Sequence, residues 1–554
     1  MLKRRTVLSV AVAATVWSVG LGAAGGRASI DTTDLKAWLT YIASDELEGR
    51  SVYTEGLGLA AGYIQDHLRE WGVTPRGDNG QYLQVVKVKS VKTTSHSSVT
   101  VQVGKETRVF KDGDGITFPR NMGSKRSVTV DRVEFSGYGL DAPGAGYSDL
   151  AGKNYQAAAV IFLGARGPKA LDVDTGRRLL GGRGRWLTEQ MHAAAAIGQE
   201  AKPAGEPRTN QANNADRRQR PDFTTTQRLD QPIAPSVTAS DSLLQFLFSK
   251  SPEKYDDLRK KADAREPLAP FRLDGVKLTF AIDADYDIIR TQLTQNVVAT
   301  IEGSDPDLKS TYVAIGAHYD HVGYADTELT SENKRPGAPG RITAGAEADR
   351  VWNGADDDGS GTVALMALAR AFAQGPRPKR SLLFVWHAGE ERGLYGSRYF
   401  ADYPTVPLDH VVAQLNIDMI GRNRDDKASE ADTVYLVGSD RISSELHEVN
   451  IRANHSLDHP LTLDYEMNDS GDPEQIYFRS DHYSYAAKGI PIIFFTTGLH
   501  PDYHANTDEV SKIEFPKLGR VTELVYETAW QLGNLDHAPA RDFKGPRAGK
   551  GTRE

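Results

Sequence analysis

The chain of 554 residues contains no cysteine. That absence excludes thiol catalysis, disulfide bridges, a lipoprotein anchor and every thiolate-held zinc or iron–sulfur site. Any metal here must be held by His, Asp and Glu. Long basic runs are missing too, and the net charge is −8, which argues against nucleic acid as a partner. After about residue 30 no apolar stretch approaches the length of a membrane span. What is present is the material of a folded enzyme. Hydrophobic residues make up 39% and charged residues 25%, enough apolar surface for large cores, so a disordered or collagen-like chain is excluded.

The first residues read as an export signal. Lys3, Arg4 and Arg5 precede an apolar stretch from about Thr6 to Leu21, and small residues around Ala23, Ala24 and Ala28 suit cleavage. The Arg pair faintly resembles a twin-arginine signal, and an uncleaved anchor is the alternative. Residues 1–28 are therefore expected to be a signal peptide. The mature protein is expected in the periplasm or outside the cell, with no stable membrane association.

Beyond it, Leu35, Trp38, Leu39 and Ile42 form one helical stripe behind a Thr32/Thr33 cap, and a second helix through Ala60, Ile64, Leu68 and Trp71 stops at Gly72. From about Tyr82 to Phe118 the pattern is β. Residues 130 to 165 alternate Gly-rich turns with short strands, ending in the apolar run AAAVIFLG. Between Ala201 and Gln231 the only large apolar residues are Phe223 and Leu229, so this stretch is expected to be a surface excursion. The tail, residues 538–554, is polar and expected to be disordered. His447 falls on the polar side of a helix marked by Ile442, Leu446 and Val449 and is expected to be solvated.

After about Leu278 short β runs (VAIGA, LLFVW, VVAQLNI, PIIFF) alternate with helical stretches at 362–373, 443–451 and 518–532. Strands apolar on both faces are covered by helices on each side. The ends of these runs carry metal-capable residues. VAIGA leads to His318, Tyr319, Asp320 and His321, LLFVW to His387, Glu390 and Glu391, VVAQLNI to Asp418, and PIIFF to His504. Asp356, Asp357 and Asp358 open the helix between the first two. Ligands of an open α/β sheet gather beyond the carboxyl ends of its strands, so residues far apart in sequence converge. Two imidazoles and three carboxylates suit a pair of zinc ions sharing one carboxylate, although cobalt or manganese would also be accepted. Of Glu390 and Glu391, one side chain can ligate while its neighbour shuttles a proton.

The segments GAHYDH, NGADDDGSG, GEERGLYGS, NIDMIGR and YHANTDE, in this order, resemble the M28 family of di-zinc peptidases, which includes bacterial aminopeptidases. The resemblance implies a doubly wound α/β fold with a mixed sheet flanked by helices, over residues 29–111 and 283–537. It implies Asp357 as the bridging ligand, with His318 and Asp418 on one zinc and Glu391 and His504 on the other. Glu390 falls at the general acid/base position. Asp320 would orient the His318 ring, and Tyr503 would hydrogen-bond the developing oxyanion. Arg479, Ser480 and Asp481 resemble a segment bordering the substrate. Residues 112–282, through FSGYGLDAP, YSDLAGKN and AAAVIFLG, resemble an inserted, mainly-β protease-associated domain.

The implied function is an exported, two-zinc aminopeptidase acting on peptides with free N-termini by attack of a metal-bridging hydroxide. Carboxypeptidase or dipeptidase action, glutaminyl cyclisation, and a catalytically dead binding protein are the alternatives. His321, His387, His482 and His500 are assigned structural or rim roles, because nearness in sequence is not ligation. The polar loop 325–350 is read as a solvated loop rather than a lid or pocket wall.

Overall fold

The computed structural model describes residues 26–200, 220–227, 229–543 and 553–554. All but the last three residues of the expected signal peptide, and residues 201–219 and 228 of the polar excursion, lie outside them.

Four strands stand at the centre of a ten-stranded sheet, in the order Ser381–His387, Tyr312–His318, Val411–Ile417 and Ile492–Thr496, all parallel. Every residue in them is buried, as their continuous apolar sequence requires. Alternation divides the residues between two cores. Val313, Ile315, Leu382, Phe384, Leu415 and Phe495 pack on one face against the helices Thr32–Ile42, Gly361–Gln374 and Phe515–Asn534. Ala314, Leu383, Val385 and Phe494 join the opposite core with Phe400 and Tyr485 from the helices Tyr395–Asp402 and His482–Ala486. The expected doubly wound α/β fold with a mixed sheet is present. Chain order reverses about Tyr312–His318, whose neighbours come later in the sequence on both sides, and this switch point is where a crevice opens.

A second ten-stranded sheet is inserted between two long partners, Leu83–Ser95 and Ala284–Ile301, which pair antiparallel from Val297 with Leu83 to Ala284 with Ser95. It begins earlier than the 112 expected from sequence. Ser98–Val103 pairs with Val276–Ile282, and Glu106–Asp112 lies beside it, so both belong to the second sheet. The alternating pattern of these strands suits either sheet equally and could not locate the boundary. The polar excursion also does more than cross the surface, because Phe223–Thr225 returns to pair with Leu83–Ser95 at the edge of the first sheet.

Three local expectations are corrected. The first helix is capped by Asp31, which accepts from the Thr33 amide at 2.9 Å, and Thr32 is already helical. His447 is buried, its Nδ1 2.9 Å from Ser439 Oγ and its ring against Tyr465, because these residues cover the second face of its helix. The described part of the tail is docked. Leu463 and Glu554 exchange backbone hydrogen bonds, and Arg553 pairs with Asp464 at 2.6 Å, completing backbone groups that the short edge strand Thr462–Asp464 leaves open. Among the described residues no helix is long and apolar enough to cross a membrane.

Candidate metal centre

The three consecutive acids have different fates, and the backbone decides which is free. Asp356 accepts the Gly421 amide at 2.6 Å. Asp358 accepts the amides of Gly361, Met419 and His318. Both are wholly buried and committed to holding loops together. The turn between them is pinned from outside by Asp508, whose carboxylate takes the amides of Asp356 and Asp357. Of the three, Asp357 is the one with neither carboxylate oxygen taken by a backbone amide; Asp356 Oδ2 also has no hydrogen bond but lies 3.3 Å from His500 Nε2. Asp357 Oδ1 lies 3.3 Å from His318 Nε2 and its Oδ2 3.3 Å from His504 Nε2.

Around this carboxylate the other expected ligands converge. Asp418 Oδ2 is 3.6 Å from His318 Nε2, and Glu391 Oε2 is 3.2 Å from His504 Nε2. Zinc bonds of about 2.0–2.1 Å in a tetrahedron put neighbouring ligand atoms roughly 3.3 Å apart, which is the spacing found here. Asp357 Oδ2 and Glu391 Oε1 are buried and have no hydrogen-bond partner, a costly state unless a cation joins them. Oxygen and imidazole donors without thiolate fit zinc. The donors present suit zinc, and Asp357 lies between the two histidines, within reach of both.

The titration behaviour follows from this crowding. Burial would lower the His318 pKa, but Asp418 and Asp357 outweigh it and hold the imidazole well above its usual value. For His504 burial again opposes, and Glu391 with Asp357 raises it to about 9. Burial pushes the Glu390 carboxyl well above the usual range; His318 opposes this, and Glu391, Asp418 and Asp481 add to it. Glu391, against the same burial penalty, is held well below the usual range by His504 and His321. The two adjacent glutamates are thus driven in opposite directions, one toward holding a proton and one toward ionisation.

The outer residues match the sequence expectations less evenly. The His318 Nδ1 faces the backbone carbonyl of Asp320 at 3.0 Å, while the Asp320 carboxylate is 3.8 Å away. That carboxylate instead accepts the amides of Gly389 and Glu390 at 2.7 and 3.1 Å, so Asp320 fixes the turn carrying both glutamates. It is fully buried and cannot meet substrate. Tyr503 stacks on His504 with ring centroids 3.8 Å apart, and its hydroxyl oxygen accepts from Arg479 Nη2 at 2.8 Å, leaving its proton free to donate. Ser480 donates to Asp418 Oδ2 at 2.6 Å, an orienting contact for that carboxylate. Asp481, expected at the substrate border, is wholly buried and lies 3.5 Å from His387 Nδ1. It is not among the residues lining the cavity, which include Glu390, Arg479, Ser480 and Tyr503 together with Met419, Met467, Ile476, Phe494 and Leu499.

Two features lay beyond the sequence reading. His321 is buried within the cluster, its Nδ1 2.8 Å from Glu391 Oε1; the signal available was its place three residues after His318 in HYDH. The loop 325–350 braces the His504 segment rather than only meeting solvent. Gly337 O lies 3.2 Å from His504 Nδ1, Arg341 N donates to His504 O, and Asn506 donates to the carbonyls of Ala346 and Asp349.

A probable zinc metalloprotease of Pyricularia oryzae is 33% identical over 162 residues, 29% of this chain and 28% of its own. Leucine aminopeptidase 1 of Trichophyton equinum is 27% identical over 240 residues, 42% of this chain and 56% of its own. The chain thus spans between about a quarter and just over half of the length of these relatives. Among solved structures, an aminopeptidase from Aneurinibacillus sp. strain AM-1 aligns over 95% of this chain and 99% of its own, at 18% identity and a TM-score of 0.44. Residues 296–529 match the model of Peptidase family M28 and contain every ligand candidate named above, so this part of the chain is a family M28 peptidase domain.

Proposed function

We propose that the chain is an exported, two-zinc exopeptidase that removes residues from the N-termini of peptides. One observation carries the reading. A single carboxylate, Asp357, sets one oxygen 3.3 Å from each of two histidines delivered by different loops, with Glu390 on the wall of the same cavity. His318, Asp357 and Asp418 would hold one ion, and Asp357, Glu391 and His504 the other. Bound zinc supplies Lewis acidity toward the scissile carbonyl and lowers the pKa of water.

The chain's own groups do the rest. Glu390, as a carboxylate whose burial raises its affinity for a proton, accepts the proton of the attacking water and, then protonated, delivers it to the leaving nitrogen. The Tyr503 hydroxyl, polarised by Arg479, donates to the oxygen on which charge develops. The apolar wall formed by Met419, Met467, Ile476, Phe494 and Leu499 excludes water and suits an apolar side chain at the cleavage point. The positive end of the substrate, its free amino group, is attracted by the surrounding carboxylates. The sequence of residues 112–282, which resembles a protease-associated domain, and the basic-then-apolar N-terminal segment support an exported enzyme with an accessory domain.

The test is a panel of peptides with free and N-acetylated ends, incubated with the purified protein with and without a chelator and read by mass spectrometry. Stepwise, chelator-sensitive loss of single residues from free N-termini alone is expected. Equal cleavage of acetylated peptides, or release from the C-terminus, would overturn the aminopeptidase reading.

A further inference from the structure

His321 is not accounted for by the ligand set above. Its ring is 1% exposed, and neither ring nitrogen has a hydrogen-bond partner. Nδ1 lies 2.8 Å from Glu391 Oε1 and 3.9 Å from Asp357 Oδ2. The shorter separation is within hydrogen-bond range, yet the two atoms form no hydrogen bond and Glu391 Oε1 is left without a partner as well. Nδ1 thus sits close to both carboxylates while forming a hydrogen bond to neither. His321 Nδ1, Asp357 and Glu391 offer ligand atoms that all lie within 4.8 Å of one another.

The ring cannot leave this seat cheaply. Gly354 has φ +55°, and a Cβ there would come within 2.5 Å of the His321 ring, while the His321 amide donates to Arg50 O at 3.1 Å. A glycine clears space for the imidazole, and a backbone hydrogen bond fixes where it starts. Burying an imidazole with both nitrogens unpaired is costly; a cation between three such groups removes the cost on the Nδ1 side.

Resting on the two-zinc reading, we infer that His321 Nδ1 is a further protein ligand of the ion held by Asp357, Glu391 and His504. That ion then has four protein ligands, whereas the ion held by His318, Asp357 and Asp418 has three. The second of these keeps the open position that catalytic sites need, and the first is the more tightly held.

A crystal structure of the zinc-loaded wild-type protein, phased at the zinc edge, tests this without any variant. The expected result is an ion about 2.1 Å from His321 Nδ1. Two ions with Nδ1 beyond about 3 Å, its N–H donated to Glu391, would overturn the inference and leave the two-zinc reading standing. Absence of any ion beside Asp357 would overturn both. In solution, His321→Gln is expected to weaken one zinc site by more than about 100-fold, beyond what loss of an orienting partner costs, and to change the absorption spectrum of the cobalt-substituted protein. A loss of less than about tenfold with an unchanged cobalt spectrum would contradict the assignment.

Discussion

Glu390 and Glu391 are adjacent, chemically equal and assigned opposite tasks. Glu391 meets His504 and His321, which favour its ionised form, whereas burial and then the neighbouring acids raise the affinity of Glu390 for a proton. Glu390→Gln is expected to retain its zinc and to lose roughly 10²–10⁴-fold in kcat, the range for one general acid–base group. Metal analysis and steady-state kinetics on the same preparation check this, and loss of zinc from the variant would contradict it.

A second prediction at this scale concerns His482, whose ring stacks on Phe494 and whose Nε2 is 2.8 Å from Tyr477 O. Burial lowers its pKa from 6.5 to about 3, against the hydrogen bond to Tyr477. Above pH 6.5 the folded and unfolded chains are both neutral at this residue. As the pH falls from there toward 3, the unfolded chain takes up a proton that the fold refuses. Stability then drops by about 1.4 kcal/mol per pH unit from this group alone. His482→Gln should remove one proton's worth of slope between pH 6 and 4 in denaturant titrations; an unchanged slope would count against the buried neutral state.

At the scale of elements, the strands and their terminal ligands were legible because a fully buried parallel strand is written as a continuous apolar run, and its carboxyl end is where a polar residue can next appear. What stayed hidden was direction. Asp320 and its own carbonyl are equally near His318 in sequence, and only the turn at Gly389 shows that the carboxylate is used elsewhere. The buried side of the helix Ser444–His455 is likewise set by Ser439 and Tyr465, which no helical stripe announces.

Arg50 shows how such elements are locked together. Its guanidinium is fully buried and donates to the carbonyls of Ile42, Tyr319, Asn353 and Gly354. It thus ties the N-terminal helix to the loops carrying His318 and Asp357. Arg50→Met leaves four buried acceptors without partners, and at about 1–3 kcal/mol for each the expected loss is at least about 3 kcal/mol. Thermal unfolding at fixed zinc concentration measures it, and a loss under about 1 kcal/mol would contradict the role.

Across the whole molecule, the inserted sheet is joined to the cavity by a line of polar contacts. Arg178 of the insertion pairs with Glu474, Glu474 with Arg479 at 3.2 Å, and Arg479 with the Tyr503 hydroxyl. Trp186 packs edge-on against Phe478 beside it. The Arg178 and Glu474 side chains are about half exposed, so solvent screens the first link and its worth is at most about 1 kcal/mol. Arg178→Ala is expected to lower kcat/KM by no more than about fivefold. A fifty-fold loss would mean that the insertion positions the site far more rigidly than these contacts imply.

The central claim is that Asp357, and neither of the acids beside it, joins two metal positions. Zinc content per chain, measured by mass spectrometry of the purified protein and of Asp357→Ala, tests it most directly. The account predicts two ions in the wild-type chain and no more than one in the variant. Two ions retained after removal of Asp357 would contradict it.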